Sequence, residues 1–549
     1  VSIELQQAIE RARAAVAART PVPSYGETVL AEARAPKTDE LVLNAEQQMA
    51  VDLAVSGESF CFIGPAGSGK TTTTKALIRA MMQSNKLPTI ERNTKYLQAG
   101  RPGVVLIAYT RRAVRNIAKQ MPDDFKPHCI TYHKLVEYEP ETVETEMPDG
   151  RVRVSKPFLP QRKPTNPLPR NLRLVIVDEA SMLSIDFYKI LSRALPSFEN
   201  VQFIFIGDIN QLPPVYGDGI LGIKLNQLRT VELTQIYRQA LESPIIELAL
   251  QVKDNKIPQE LKVCVKDYEK ITPRGKVTIV PWKKLLKLED AEHAIHLRLQ
   301  QWVRDGTFNY KEDVILCPWG KSFGTINMNK SIGTQVARLN NSDVYEIIAG
   351  FNKHYFAIGD RVMFDKRDAE VVKIARNMRY IGKQPQPASP KMDYWGWGSD
   401  ASASLMENLD DIDALLDSFA DAESEDRSQE SSHAMTIKFL DDDIEYIMTK
   451  SGEFNVCDLG YAMSVHKSQG SEWRRVFIIT HDVHIKMLQR ELLYTAITRA
   501  SEELYIIMPP TMLVKAAGRA RIKGVTLAEK IKYFAVKHAE SDLEDYEDH

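Results

Sequence analysis

Between residues 43 and 250, short runs of uninterrupted apolar residues alternate with helix-compatible segments. The runs are SFCFIG (59–64), GVVLIAYT (103–110), LRLVIVDEA (172–180) and VQFIFIGD (201–208). Strands that are apolar throughout rather than alternating are buried on both faces, so this order predicts a parallel sheet covered by helices. A second pattern of the same kind starts at DVILCPW (313–319) and resumes with RRVFIITHD (474–482) and ELYIIMP (503–509). Between its halves lie shorter β-like runs, FAIGDRVMF, MTIKFL and IEYIMTK, which predict a small barrel inserted in the second lobe. Within the first lobe, VETEMPDGRVRV reads as two alternating runs joined through Pro148-Asp149-Gly150, a hairpin signal.

The predicted class is therefore α/β, with two parallel-sheet lobes. The first lobe spans 39–250, with a hairpin insertion at about 138–169. The second spans 251–349 and 458–515, split by a barrel at 350–457. A helical extension is predicted over 1–38, and a C-terminal helix with an acidic tail over 516–549. Residues 384–433 are rich in Pro, Ser, Gly and acids, a composition that predicts disorder in at least part of the stretch.

The sharpest chemical signal follows the first run. GPAGSGKTTTT (64–74) fits the phosphate-loop spacing G-x-x-x-x-G-K-[ST] at Gly64, Gly69, Lys70 and Thr71. Glycines let backbone N–H groups close around phosphates, and the next helix turns its positive end toward them. The loop residues Gly64, Pro65, Ala66, Gly67, Ser68, Gly69, Lys70, Thr71 and Thr72 are the candidate ATP contacts. Lys70 suits the β/γ-phosphates, and Thr71 suits Mg²⁺. Asp178 and Glu179 end the run LVIV, where such a site needs one carboxylate for Mg²⁺ and one to polarise the attacking water. Asp178 fits the first role and Glu179 the second. GDINQLPPV places Gly207, Asp208 and Gln211 after the next strand, with Gln211 able to sense the γ-phosphate. Arg238 in LTQIYRQ and Arg499 in LLYTAITRA can stabilise charge on the transferring phosphoryl group.

Composition narrows the partners. At 549 residues the chain exceeds one core, and 44% hydrophobic with 26% charged residues is a soluble, globular balance. No apolar stretch is long enough to span a bilayer, and 1–20 lacks a signal-peptide core, so a cytoplasmic protein without membrane contact is expected. Cysteines 61, 129, 264, 317 and 457 show no metal or disulfide spacing. The net charge of −2 hides a split. Residues 400–430 hold eleven acids and one base, Arg427, while 540–549 hold six acids and no Lys or Arg. Setting those net charges of −10 and −6 aside leaves +14 on the remaining chain, a basic body suited to a polyanion.

Taken in order, the motifs resemble superfamily 1 helicases of the RecD-like and phage Dda-like group, over about 43–510. LNAEQQMA (43–50) resembles the Q motif, with Gln47 in the adenine-reading position. GPAGSGKT is similar to motif I, IAYTRRA (107–113) to motif Ia and TYHKL (131–135) to the next DNA-contacting element. VDEAS, GDINQLPP and YRQ resemble motifs II, III and IV. MSVHKSQGSEW (463–473) resembles motif V, carrying Gly470 and Glu472 as further nucleotide contacts, and LYTAITRA (493–500) resembles motif VI. GDRVMF (360–364 and its Gly359) flanks the position of the family's inserted barrel. The resemblance implies two RecA-like lobes with ATP between them, an SH3-like barrel, and 5′→3′ movement on single-stranded DNA. Arg238 and Arg499 would then reach the γ-phosphate from the second-lobe side. Thr110, Arg111, Thr131, His133, Ser464, His466 and Lys467 become the candidate DNA contacts. Motif Ia departs from the family pattern in being richer in Arg.

The expectation is an ATP-dependent DNA helicase acting on single strands and forked duplexes in replication, recombination or repair. A translocase that displaces bound proteins with little unwinding and an RNA-directed helicase are the alternatives. For the acidic insert, Leu405, Leu409, Ile412, Leu416 and Phe419 share one helical face. A solvated spacer, a docking helix for a replication or recombination protein, and a DNA mimic over the basic channel all fit that pattern.

Overall fold

The computed structural model describes residues 43–380 and 429–547, apart from 85, 142, 147–151, 156–157, 197–199, 215–217, 237–241, 263–265, 282–287, 321–322, 365–366 and 441–442. The expected extension at 1–38 lies outside them, as does the acidic insert up to 428.

The first lobe opens with helix α1 (Ala45–Ser56), strand β1 (Phe60–Ile63) and helix α2 (Lys70–Gln83). Strand β2 (Val104–Ala108), helix α3 (Arg111–Ala118) and β3 (Cys129–Thr131) follow. The chain then leaves the sheet through β4 (Tyr138–Pro140), β5 (Val143–Glu146), β6 (Val152–Ser155) and β7 (Phe158–Pro160). It returns as β8 (Leu174–Val177), β9 (Gln202–Gly207) and β10 (Arg229–Glu232). The sheet order is β10-β1-β9-β8-β2-β3 and every pairing is parallel. Every residue of β1, β2, β8 and β9 is buried, which is why these four strands read as unbroken apolar runs. β10 is a polar edge strand and β3 has three residues, so neither left that signature.

Outside the sheet, β4 pairs with β7 and β5 with β6, both antiparallel. The turn at 148–150 lies outside the described residues. The root of this excursion is held by charge. Glu137, in the left-handed region at φ 52°, accepts two 2.9 Å hydrogen bonds from Arg162 Nε and a terminal guanidinium nitrogen. Both residues are buried.

The second lobe holds β11 (Tyr268–Thr272), β12 (Gly275–Pro281) and β13 (Val314–Cys317). An antiparallel insertion follows, made of β14 (Val344–Ala349), β15 (Asn352–Ala357), β16 (Arg361–Phe364), β17 (Arg367–Arg376), β18 (Glu430–Phe439), β19 (Glu445–Lys450) and β20 (Cys457–Leu459). The lobe is completed by β21 (Ala462–Ser464), β22 (Trp473–Ile479) and β23 (Ala500–Met508). Its sheet runs β11-β12-β23-β22-β13-β21, parallel except for β11 against β12. One face buries Leu248, Val252, Leu493 and Leu513, the other Ile295, Phe308, Phe323 and Phe477.

The insertion has its own core, with Ile347, Val362, Val371, Met435, Ile437 and Phe454. Five of its strands form one sheet, β19-β18-β17-β16-β20. That core reaches back to Ile347 and Ala349, before the boundary at 350 drawn from sequence. The expected disorder over 384–433 is corrected at its end: residues 430–433 belong to β18, where His433 pairs with Arg376. Ser431 and Ser432 are fully buried, and Ser431 Oγ donates to Thr449 O at 2.7 Å. Two buried serines resemble linker composition in sequence, which hid the strand. Among the described residues no helix is long and apolar enough to cross a membrane.

Glu137→Ala would strand the buried Arg162 guanidinium, and breaking a buried pair from one side costs about 3 kcal/mol. Urea unfolding should show that loss. A loss below about 1 kcal/mol, the scale of an exposed pair, would mean that the pair does not anchor the excursion.

Candidate active site

The phosphate-type loop forms because β1 ends at Ile63 and the chain must turn into α2 within six residues. Gly67 and Gly69 supply the turn at φ 77° and 84°. A Cβ on Gly64 would stand 2.5 Å from Ser68 Oγ, so the loop closes only around glycine there. Lys70 Nζ bridges the loop, donating to Gly64 O at 2.6 Å and Pro65 O at 2.9 Å. Thr73 and Thr74 turn inward and donate to Gly69 O and Lys70 O, while Thr71 and Thr72 are half-buried on the first turn of α2.

Two strands away, Asp178 leaves β8 with its N–H bonded to Ile107 O. Glu179 adopts φ 51°, a left-handed conformation that costs a non-glycine residue energy and here turns the chain sharply after the strand. Burial and the Glu179 carboxylate push Asp178 up to about 7, and Lys70 opposes them. Two crowded acids beside a lysine form a hard-oxygen set suited to Mg²⁺. Gln211 is buried, and its side-chain oxygen has no hydrogen-bond donor among the described residues.

The second lobe reaches directly into this loop. Ala66 N–H donates to the Tyr494 hydroxyl at 3.0 Å, and Tyr494 donates to Asp208 Oδ2 at 2.6 Å. Asp208 Oδ1 also accepts from Asn210, at 2.9 Å from both its backbone and side-chain nitrogens. Nearby, Leu212 N–H donates to Thr495 Oγ at 3.0 Å and Leu212 O accepts from Gln469 at 2.8 Å. Further along the seam, Gly470 (φ 70°) lies against α3, where a Cβ would meet Ala113 at 2.8 Å. Arg112 ion-pairs with Asp368 of β17 at 3.0 Å and lies 4.1 Å above the Trp473 ring. One arginine of the first lobe thus touches both the insertion and the second lobe.

The candidate residues divide by environment. Gln47 is fully buried on α1. Arg499 is buried and donates to Thr495 O, Ser471 O and Thr498 Oγ of its own lobe. Glu472 is exposed, and Arg238 lies outside the described residues. Thr110 and Thr131 cap helices by accepting from Ala113 and Lys134 N–H groups. Arg111 is exposed at the start of α3. His133 sits among Tyr109, Tyr132, Tyr138 and Phe187, with ring centroids 5.2–5.6 Å away. Ser464 Oγ accepts from Lys467 N–H, while Lys467 Nζ pairs with exposed Asp458 at 2.8 Å. Burial, reinforced by Arg521, lowers the His466 pKa.

Residues 47–217 match the AAA domain family, and residues 459–507 match the UvrD-like helicase C-terminal domain. The chain is 25% identical to the ATP-dependent RecD2 DNA helicase of Deinococcus radiodurans over 504 residues, covering 90% of this chain and 53% of that protein. It is 28% identical to the ATP-dependent DNA helicase dda of Enterobacteria phage T4 over 198 residues, 35% of this chain and 37% of that one. The solved Pif1 helicase of Candida albicans overlays with a TM-score of 0.41 at 16% identity, covering 86% of this chain and 97% of that one. The chain is similar to superfamily 1 helicases of the RecD, Dda and Pif1 type. It spans about half the length of the RecD2 relative, and less of the dda protein.

The residues that sequence reasoning passed over are those on the seam. Tyr494 and Thr495 lie inside a motif, but between apolar neighbours they read as core. Arg112 lies beside Arg111 in an Arg-rich run, and nothing local tells which one faces Trp473.

Arg112→Ala removes an ion pair and a desolvated cation–π contact, together about 2 kcal/mol. A lower melting temperature and faster amide exchange over β16 and β17 are expected. Exchange there matching the parent chain would show that the arginine does not tie the insertion to α3.

Proposed function

We propose that this chain is an ATP-driven DNA helicase in which hydrolysis at the seam moves one lobe against the other. The observation that carries this reading is the Ala66–Tyr494–Asp208 link. A phosphate loop whose own amide is held by the opposite lobe cannot exchange ligands without the lobes responding. An anion taking the Ala66 N–H competes with the Tyr494 hydroxyl, so binding is felt in motif VI at once.

The roles follow from chemistry and position. The amides from Gly64 to Thr72 cradle the phosphates at the positive end of α2. Lys70 exchanges its two carbonyl partners for phosphate oxygens. Gln47 reads the base, and Gly470 and Glu472 complete the second-lobe wall. Thr71 and Asp178 would hold Mg²⁺, which neutralises phosphate charge when bound. Glu179 orients the attacking water and accepts its proton. Gln211 can accept from that water through its unpaired oxygen and donate to the phosphate through its amide nitrogen. Arg499, with Arg238, leaves its own-lobe carbonyls to meet charge that develops in the transition state.

The strand would run across the carboxyl ends of β2, β3 and β21. Thr110, Arg111, Thr131 and His133 meet it from one lobe, and Ser464, His466 and Lys467 from the other. The contact of Gly470 with α3 joins the two groups, so opening the seam changes their spacing. The insertion between β13 and β21 is read as the SH3-like barrel, and β5 with β6 as the pin at the fork. Movement is 5′→3′.

ATP turnover followed alongside unwinding of 5′-tailed and 3′-tailed duplexes tests this reading. Single-stranded DNA should stimulate turnover, and only the 5′-tailed duplex should open. Lys70→Ala and Glu179→Gln should each lower turnover at least a hundredfold, about 2.7 kcal/mol of transition-state stabilisation. Stimulated turnover without opening of either duplex would favour a translocase that strips bound proteins. Stimulation by RNA alone would move the substrate class.

A further inference from the structure

The chain after β23 crosses from one lobe to the other. Helix Pro510–Gly518 closes the second-lobe core with Met512, Leu513, Ala516 and Ala517. The turn beyond it stays tied to that lobe. Arg490 donates from Nε to Ala517 O at 2.7 Å, and the Glu491 carboxylate accepts from the N–H groups of Arg521 and Ile522 at 3.0 Å. Helix Leu527–Glu547 then lies on the first lobe, where Leu527, Ile531 and Phe534 pack against the core. The Phe534 ring comes so close to Gly222 that a Cβ there would stand 2.5 Å from it. Lys537 pairs with Asp218.

One residue of this helix turns toward the seam. Lys530 is 9% exposed, and its Nζ donates to Asn210 Oδ1. Asn210 Nδ2 donates to Asp208 Oδ1, Tyr494 donates to Asp208 Oδ2, and Ala66 N–H donates to Tyr494. The hydrogen bonds form one unbroken line from the helix to the phosphate loop. Asp208 is 1% exposed, and a carboxylate so buried needs a cation close by. Burial lowers the Lys530 pKa, and Asp208 and Glu491 counteract that effect.

We propose that Lys530 is a positioning residue for ATP turnover: through Asn210 and Asp208 it fixes the Tyr494 hydroxyl against the Ala66 amide. Docking of helix Leu527–Glu547 thereby sets how the cleft responds to nucleotide. The proposal rests on the ATPase reading above.

The test is steady-state ATP hydrolysis by the full chain at saturating single-stranded DNA. Lys530→Met and Tyr494→Phe should each lower kcat on the order of tenfold, about 1.4 kcal/mol. KM for ATP should rise by no more than about threefold, because the relay competes with nucleotide for the Ala66 N–H and its loss removes no nucleotide contact. The double variant should be no slower than either single one, since both break the same line. Lys530→Arg should restore at least about half of kcat, as a charge-keeping change would. Lys537→Ala, which cuts a helix contact outside the line, should match the parent chain. If Lys530→Met fails to fold by its melting curve, Asn210→Ala breaks the middle link and should show the same kcat loss. Parent-like kcat in Lys530→Met or Asn210→Ala overturns the proposal. So does multiplication of the two losses in the double variant, or an equal loss in Lys537→Ala, which would reduce the helix to packing. Parent turnover at background would instead remove the ATPase reading and this proposal with it. Normal parent turnover alongside a parent-like Lys530→Met removes the relay alone.

Discussion

The hydrogen bond from Ala66 N–H to the Tyr494 hydroxyl is the constraint around which the rest of the molecule is arranged. A phosphate loop gathers backbone donors, and each of them calls for an acceptor. Here a residue of the opposite lobe satisfies it. That residue is in turn bonded to Asp208, beside the motif that ends β9. A single tyrosine of the second lobe therefore bonds both the glycine-rich loop and the segment that follows β9. Motion between lobes and occupancy of the loop become one problem.

Three further contacts make the seam specific. Leu212 joins Thr495 and Gln469. Gly470 lets α3 approach closer than any side chain would allow. Arg112 reaches past the seam to Asp368 and Trp473. Each runs between a segment following a first-lobe strand and a segment of the second lobe. On the proposed function, the segments that would contact the strand and those that would contact nucleotide share the same backbone turns, as turning hydrolysis into movement requires.

Much of this was legible in the sequence, for identifiable reasons. β1, β2, β8 and β9 are buried on both faces, so their apolar runs announce them. The loop glycines are fixed by backbone angles and steric closeness that other residues do not tolerate. β3, β10 and β21 are short or lie at an edge and carry no such pattern. The start of β18 is hidden because Ser431 and Ser432 are buried through hydrogen bonds rather than apolarity. The acids after β8 were recognisable because buried strands seldom end in two carboxylates. Tyr494, Asn210 and Lys530 were not, because their partners lie hundreds of residues away and no local spacing encodes them.

The central claim is that nucleotide at the seam changes the relation of the lobes. Spin labels on cysteines replacing exposed Lys189 and Gln301, one on each lobe, report it by pulsed dipolar spectroscopy. The described native cysteines, Cys61, Cys129, Cys317 and Cys457, are buried. The account predicts a distance distribution that shifts with a non-hydrolysable ATP analogue, returns with ADP, and does not shift in Lys70→Ala. An identical distribution in all nucleotide states, with analogue binding demonstrated on the same sample, would contradict it.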